Sequence, residues 1–112
     1  MSTASDLRVV LISIDSIEAG RELATFLVEA KLAACVNLIP HIESIYRWQG
    51  TIHHDPEILL IAKTTAEAFP QLEAAVKAKH TYSTPEILAL PAASVSQAYG
   101  AWVFQEVTTQ LN

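Results

Sequence analysis

The chain has 112 residues, 51% hydrophobic and 17% charged, a make-up that suits one compact domain over residues 1–112 and excludes a disordered tail. Twelve acidic against seven basic residues leave a formal net charge of −5, which argues against nucleic acid as a partner, because binding a phosphate backbone needs clustered Lys and Arg. The opening MSTASDLR has no basic or apolar leader region, no run reaches the roughly 20 apolar residues of a membrane span, and the single cysteine, Cys35, can form no internal disulfide, so a cytoplasmic protein is expected.

Leu7 to Ile14, LRVVLISI, is a short β-branched apolar run and reads as a buried strand. Asp15 offers an N-cap, with Glu18 three residues on to complete a capping box. Ala19, Leu23, Phe26, Leu27 and Ala30 then recur at helical spacing, which predicts an amphipathic helix. A long run follows from Leu32 to Ile52. Its first part, Cys35 to Ile39, is almost continuously apolar, as expected of a strand buried on both faces. After Pro40 it alternates, with Ile42, Ser44, Tyr46 and Trp48 on one face and Glu43, Ile45, Arg47 and Gln49 on the other.

A straight strand from Cys35 to Ile52 would span about 55 to 60 Å, against a radius of gyration of about 13 Å for a compact domain of this size. It must bend at Pro40, or the ribbon from Ile42 to Ile58 must project as an arm that docks on another copy of the chain. His53 to Pro56, HHDP, reads as the hairpin connection, and Glu57 to Thr64, EILLIAKT, as the third strand. Thr64 and Glu67 have capping-box spacing for a second helix with Phe69, Leu72 and Val76 buried; Pro70 fits there only in the first turn. Pro85 to Pro91, PEILALP, is a fourth strand. A last helix from about Gln97 to Val107, capped by Ser96, is expected to turn Tyr99, Trp102 and Val103 inward, placing Trp102 partly in its own core and Trp48 in a neighbour's groove.

The order βαββαβ plus a helix predicts an α+β, ferredoxin-like split βαβ sandwich, an antiparallel sheet with both main helices on one face. Strands as apolar as Val9 to Ile12 and Ile58 to Ala62 would leave the other face unfit for water, which again calls for oligomerisation.

The runs KLAACVN (31–37), SIYRWQG (44–50), KT (63–64), H-x-Y-x-x-PEI (80–87) and Y-x-x-W (99–102), in this order and spacing, resemble the CutA family of divalent-cation tolerance proteins. The resemblance spans nearly the whole chain. It implies a ferredoxin-like homotrimer whose long hairpin clasps a neighbour, with a role in tolerance to copper (Cu2+) and other divalent cations and no required cofactor. Where some bacterial members carry a second cysteine and a second histidine, this chain has Ile12 and Lys79. A copper site built on those ligands is not implied here.

As metal ligands, the residues themselves offer His80, at a helix end in the family motif, and Cys35 for soft metals. His80 could equally serve the helix dipole, and Cys35 could be core packing. His53 and His54 are adjacent on an extended segment and point apart, so a solvated loop explains them. Lys63 closes an apolar strand and needs a partner or ligand, or else reaches solvent. An inter-subunit cleft of Lys63, Tyr82 and Glu86 with an arm's Tyr46, Arg47 or Trp48 would carry both charge signs and aromatic walls. Lys63 and Glu86 merely pairing across an interface is the plainer alternative. No catalytic triad, paired-carboxylate or phosphate-loop pattern stands out, so no enzyme is expected. The alternative to a metal-responsive trimer is a regulatory module that senses an anion or nucleotide between subunits, by analogy of fold.

Overall fold

The structure, a computed structural model, describes residues 4–107. Strand β1 (Leu7–Ile14), helix α1 (Ile17–Glu29), strands β2 (Cys35–Trp48) and β3 (Thr51–Thr65), helix α2 (Phe69–Lys79), strand β4 (Ile87–Pro91) and helix α3 (Gln97–Glu106) follow in order. They form one antiparallel sheet in the order β2-β3-β1-β4, as the split βαβ reading requires. Val10, Ile12 and Ile14 of β1 and Ile58, Leu60 and Ala62 of β3 point to one side, where Leu23, Ala24 and Leu27 of α1 and Leu72 and Val76 of α2 close the core. This is the period of two in the strands meeting the period of 3.6 in the helices.

The hydroxyl contacts ahead of both helices fall one residue beyond the expected caps, and α2 itself begins only at Phe69, with Ala68 at its N-cap making no side-chain capping bond. Ser16, not Asp15, caps α1, its Oγ accepting from the Ala19 N–H at 3.1 Å, while the Asp15 carboxylate accepts from Thr81 Oγ1 at 3.3 Å. Likewise Thr65 Oγ1 accepts from the Ala68 N–H at 3.1 Å, because strand alternation turns Thr64 into the core, where its hydroxyl donates to the Leu32 carbonyl at 2.6 Å. Pro70 falls in the first turn of α2. Helix α1 ends with Lys31 at φ 61°, the Leu32 N–H reaching Leu27 O at 2.9 Å and the Lys31 N–H reaching Val28 O at 3.0 Å. That is the Schellman closure with lysine in the position glycine usually takes.

The long strands both bend and project. The β2–β3 register slips by one residue between Ile39 and Ile42, with His41 at φ 62°, a bulge beside Pro40. Because β1 ends opposite Ile58, the rest of β3 pairs with β2 alone and reaches out as an arm, and the molecule measures 46 × 29 × 22 Å. The connection is Gln49-Gly50, with φ of 51° and 82°, a two-residue turn of the kind that matches strand twist. HHDP is therefore strand, not turn: His53 and His54 pair with Tyr46 and Ile45, and Pro56 lies beyond the end of β1, where one side of β3 has no neighbour to bond.

Two burial expectations also change. Strand β2 lies at the sheet edge, so only Val36 and Leu38 of its apolar stretch pack on the core, and Ile39 is exposed. In α3 the inward stripe is Gly100 and Val103, leaving Tyr99 and Trp102 each 40% exposed. The sheet face away from the helices carries Leu11, Leu59, Ile61, Leu88 and Leu90, of which Leu88 and Leu90 are exposed.

Thr64→Val keeps the volume of this wholly buried side chain but leaves the Leu32 carbonyl without its donor. A loss of about 1–3 kcal/mol is expected, read as a lower urea midpoint at fixed protein concentration. An unchanged midpoint would show that this bond contributes nothing.

Candidate functional site

A cleft of about 560 Å³ opens at the base of the arm. Its walls come from Ser44, Ile45, Tyr46 and Trp48 on β2 and from Tyr82, Ser83 and Thr84 on the α2–β4 loop; Ser13, Glu57 and Glu86 complete it. The register explains this grouping. Past the bulge, Ile42, Ser44, Tyr46 and Trp48 share a face with their partners Glu57, Asp55, His53 and Thr51, and that face continues onto the open side of the sheet.

Hydrogen bonds fix the walls. Tyr82 Oη donates to Glu57 Oε2 at 2.7 Å, and Glu57 is only 6% exposed. Ser13 Oγ donates to Glu86 Oε1 at 3.4 Å. On the arm, Tyr46 donates to Asp55 and stacks on His53, ring centroids 5.3 Å apart. His80 anchors the loop. Its Nδ1 accepts from the Tyr82 N–H at 3.0 Å, which leaves the proton on Nε2, 2.7 Å from the Ser13 carbonyl.

Electrostatics follow from these contacts. Burial first, then the bond to Glu57, hold the Tyr82 phenol far above its ordinary value. The bond to Asp55 raises Tyr46, and burial together with its neighbour Cys35 raises Tyr99.

Of the residues singled out in the sequence, Tyr46, Trp48, Tyr82 and Glu86 meet in the cleft, with the arm supplied by the same chain. Arg47 points to the opposite face of the ribbon, opposite Ile52. Lys63 is not there. It lies six positions along β3 from Glu57, about 20 Å, and its Nζ donates to Asn37 Oδ1. Within one chain it therefore lies out of reach of Glu86, and the residues of this chain that line the cleft include no lysine or arginine. Glu57 and Ser13 take part although neither was expected to. Glu57 had a signal, a carboxylate opening an apolar strand, but one that also fits a partner for Lys63.

The metal ligands do not fit a shared ion. Cys35 pairs in register with Lys63, which faces Val9, whereas His80 bonds Ser13, four positions further along β1 and about 13 Å away. Both nitrogens of His80 are already engaged. Among the described residues no three His, Cys, Asp or Glu side chains converge as a metal site would require. His54 lies 3.6 Å from Glu43 on the exposed ribbon, facing away from His53.

With all three tyrosines raised above 10.0, the folded chain holds more protons than the unfolded one above that pH, so stability falls as pH rises through this window. The tyrosinate absorbance of the folded protein should rise at higher pH than that of the urea-unfolded protein. Tyr82→Phe should remove the latest part of the rise; a native curve overlying the unfolded one would refute the buried Tyr82–Glu57 contact.

Comparison with known proteins agrees with this architecture. The family model for "CutA1 divalent ion tolerance protein" matches residues 8–106. The chain is 53% identical over 95 residues to the divalent-cation tolerance protein CutA of Thermus thermophilus, covering 85% of this chain and 92% of that one. It is 44% identical to the chloroplastic protein CutA of Arabidopsis thaliana over 85% of its own length, but spans only 52% of that relative. The crystal structure of CutA1 from Oryza sativa superposes with a TM-score of 0.92 at 39% identity, covering 97% of this chain and all of that one. A match running from β1 through α3, on relatives this close and on the same fold, means that the chain belongs to the CutA1 divalent ion tolerance family.

Proposed function

We propose that the chain serves divalent-cation tolerance, copper included, as a non-enzymatic cytoplasmic homotrimer that responds to a small ligand rather than storing metal. The observation that carries this reading is the cleft itself, in which a buried carboxylate, Glu57, is held by Tyr82 beneath the aromatic side chains of the arm. A concave site with a few fixed polar groups and apolar walls is the usual form of a small-molecule site. Metal storage draws no comparable support, since Cys35 and His80 lie at opposite ends of the sheet.

Assembly is supported by the uncovered sheet face. Leu88 is 51% exposed, and Leu90, Ile39, Tyr99 and Trp102 are exposed large apolar side chains as well. A patch of this kind on a small soluble domain marks an interaction surface. The non-enzymatic reading is supported by His80, the natural general base, whose ring is committed to holding the loop.

In sedimentation velocity the wild-type chain is expected at three times its 12.2 kDa mass, and Leu90→Glu, which places a charge on the open face, is expected to shift it to smaller species. A wild-type monomer at micromolar concentration would overturn the trimer.

A further inference from the structure

The cleft has a definite charge character. Glu57 and Glu86 line it, Asp55 stands behind Tyr46, and no lysine or arginine is among its lining residues. Lys63, the cation expected there, is bonded elsewhere. An anion or nucleotide entering this space would meet carboxylates with nothing to offset them.

Glu57 carries the argument further. One carboxylate oxygen, Oε2, accepts from Tyr82, and the other makes no hydrogen bond to a described residue. Among the described residues no fully buried side-chain oxygen is left unpartnered, so that second oxygen reaches solvent, on the side where Glu57 lines the cleft. A carboxylate otherwise nine-tenths buried thus presents one oxygen to whatever occupies the space. Tyr46 and Tyr82 line the same cleft, and an aromatic ring face attracts a cation; Trp48, six positions along β2 from the Ile42 that pairs with Glu57, lines its outer part. A bare divalent ion is a poor match, since no third ligand converges on it. A volume of about 560 Å³ suits an organic molecule.

From this juxtaposition, and resting on the reading of the cleft as a ligand site, we infer that its ligand is a small organic ammonium ion, with the positive nitrogen against the free oxygen of Glu57 and its alkyl groups against Tyr46 and Tyr82. Glu86 supplies the second negative charge at the rim. Selectivity would then rest on charge, and a neutral molecule of the same shape should be rejected.

The test uses the full chain and reads binding by isothermal titration calorimetry. The chain is titrated with choline, with the neutral carbon analogue carrying tert-butyl in place of trimethylammonium, and with ATP, each into the tens of millimolar. Choline is expected to give a saturable change, the neutral analogue to bind roughly tenfold more weakly or worse, and ATP to give none. Glu57→Gln should weaken choline by a similar factor without affecting the neutral analogue; should that variant not fold, Glu86→Gln reports the same charge effect at an exposed position. Equal binding of choline and its neutral analogue, a folded carboxylate variant that binds choline like the parent, or preference for ATP would overturn the ammonium assignment while leaving a ligand site. Silence from all three probes would remove the ligand site as well.

Discussion

Strand β1 stops at Ile14, opposite Ile58, while β3 runs on to Thr51. That difference in length determines most of what is distinctive in this molecule. Beyond Ile58, β3 has a neighbour on one side only, so the ribbon leaves the sheet as an arm and Pro56 is tolerated within it. The place that a longer β1 would have filled is taken by the α2–β4 loop. His80 holds that loop to the last turn of backbone on β1, and Tyr82 reaches across to Glu57. The cleft is the space between the departing arm and the loop that closes the sheet end.

The elements were legible in the sequence because each one's period matches its burial. Their ends were not. Asp15 and Ser16 could each cap a helix, as Thr64 and Thr65 could each bond the turn that leads into one, and only contacts distant in sequence choose between them. Thr64 is drawn away by Leu32, more than thirty residues earlier, and Asp15 by Thr81, more than sixty later. The hairpin was misplaced for a different reason. HHDP has the polarity of a turn, yet the chain reverses at Gln49-Gly50, where Gly50 is at home at φ 82° and Gln49 only tolerates φ 51°. In α3 the aromatic residues suggested the core, but Gly100 allows close approach and takes that place, 3.1 Å separating a would-be Cβ from Val95.

The site was half legible. Alternation after Pro40 put Tyr46 and Trp48 on one face, and topology brought Tyr82 and Glu86 to meet them. Lys63 does not join them within one chain, and antiparallel pairing says why: the end of β3 lies beside the start of β1, whereas Glu86 precedes β4 residues that pair with the end of β1. Glu57 was obscured by its surroundings. A charged residue before five apolar ones reads as a strand's boundary, and only the overrun of β3 past β1 makes it the floor of a cleft.

The bulge at Pro40 and His41 has a consequence for colloidal behaviour. Strand β2 lies at the sheet edge and would offer an incoming chain a long row of free backbone groups, the template from which edge-to-edge aggregates and fibrils grow. Pro40 withdraws a donor from that row, and the left-handed His41 beside it breaks the repeat where the arm begins. An adding strand would have to reproduce the same extra residue to continue past it. The irregularity that keeps the arm's aromatic side chains on the open face therefore also divides the edge into two short stretches, neither offering an uninterrupted run to a growing fibril.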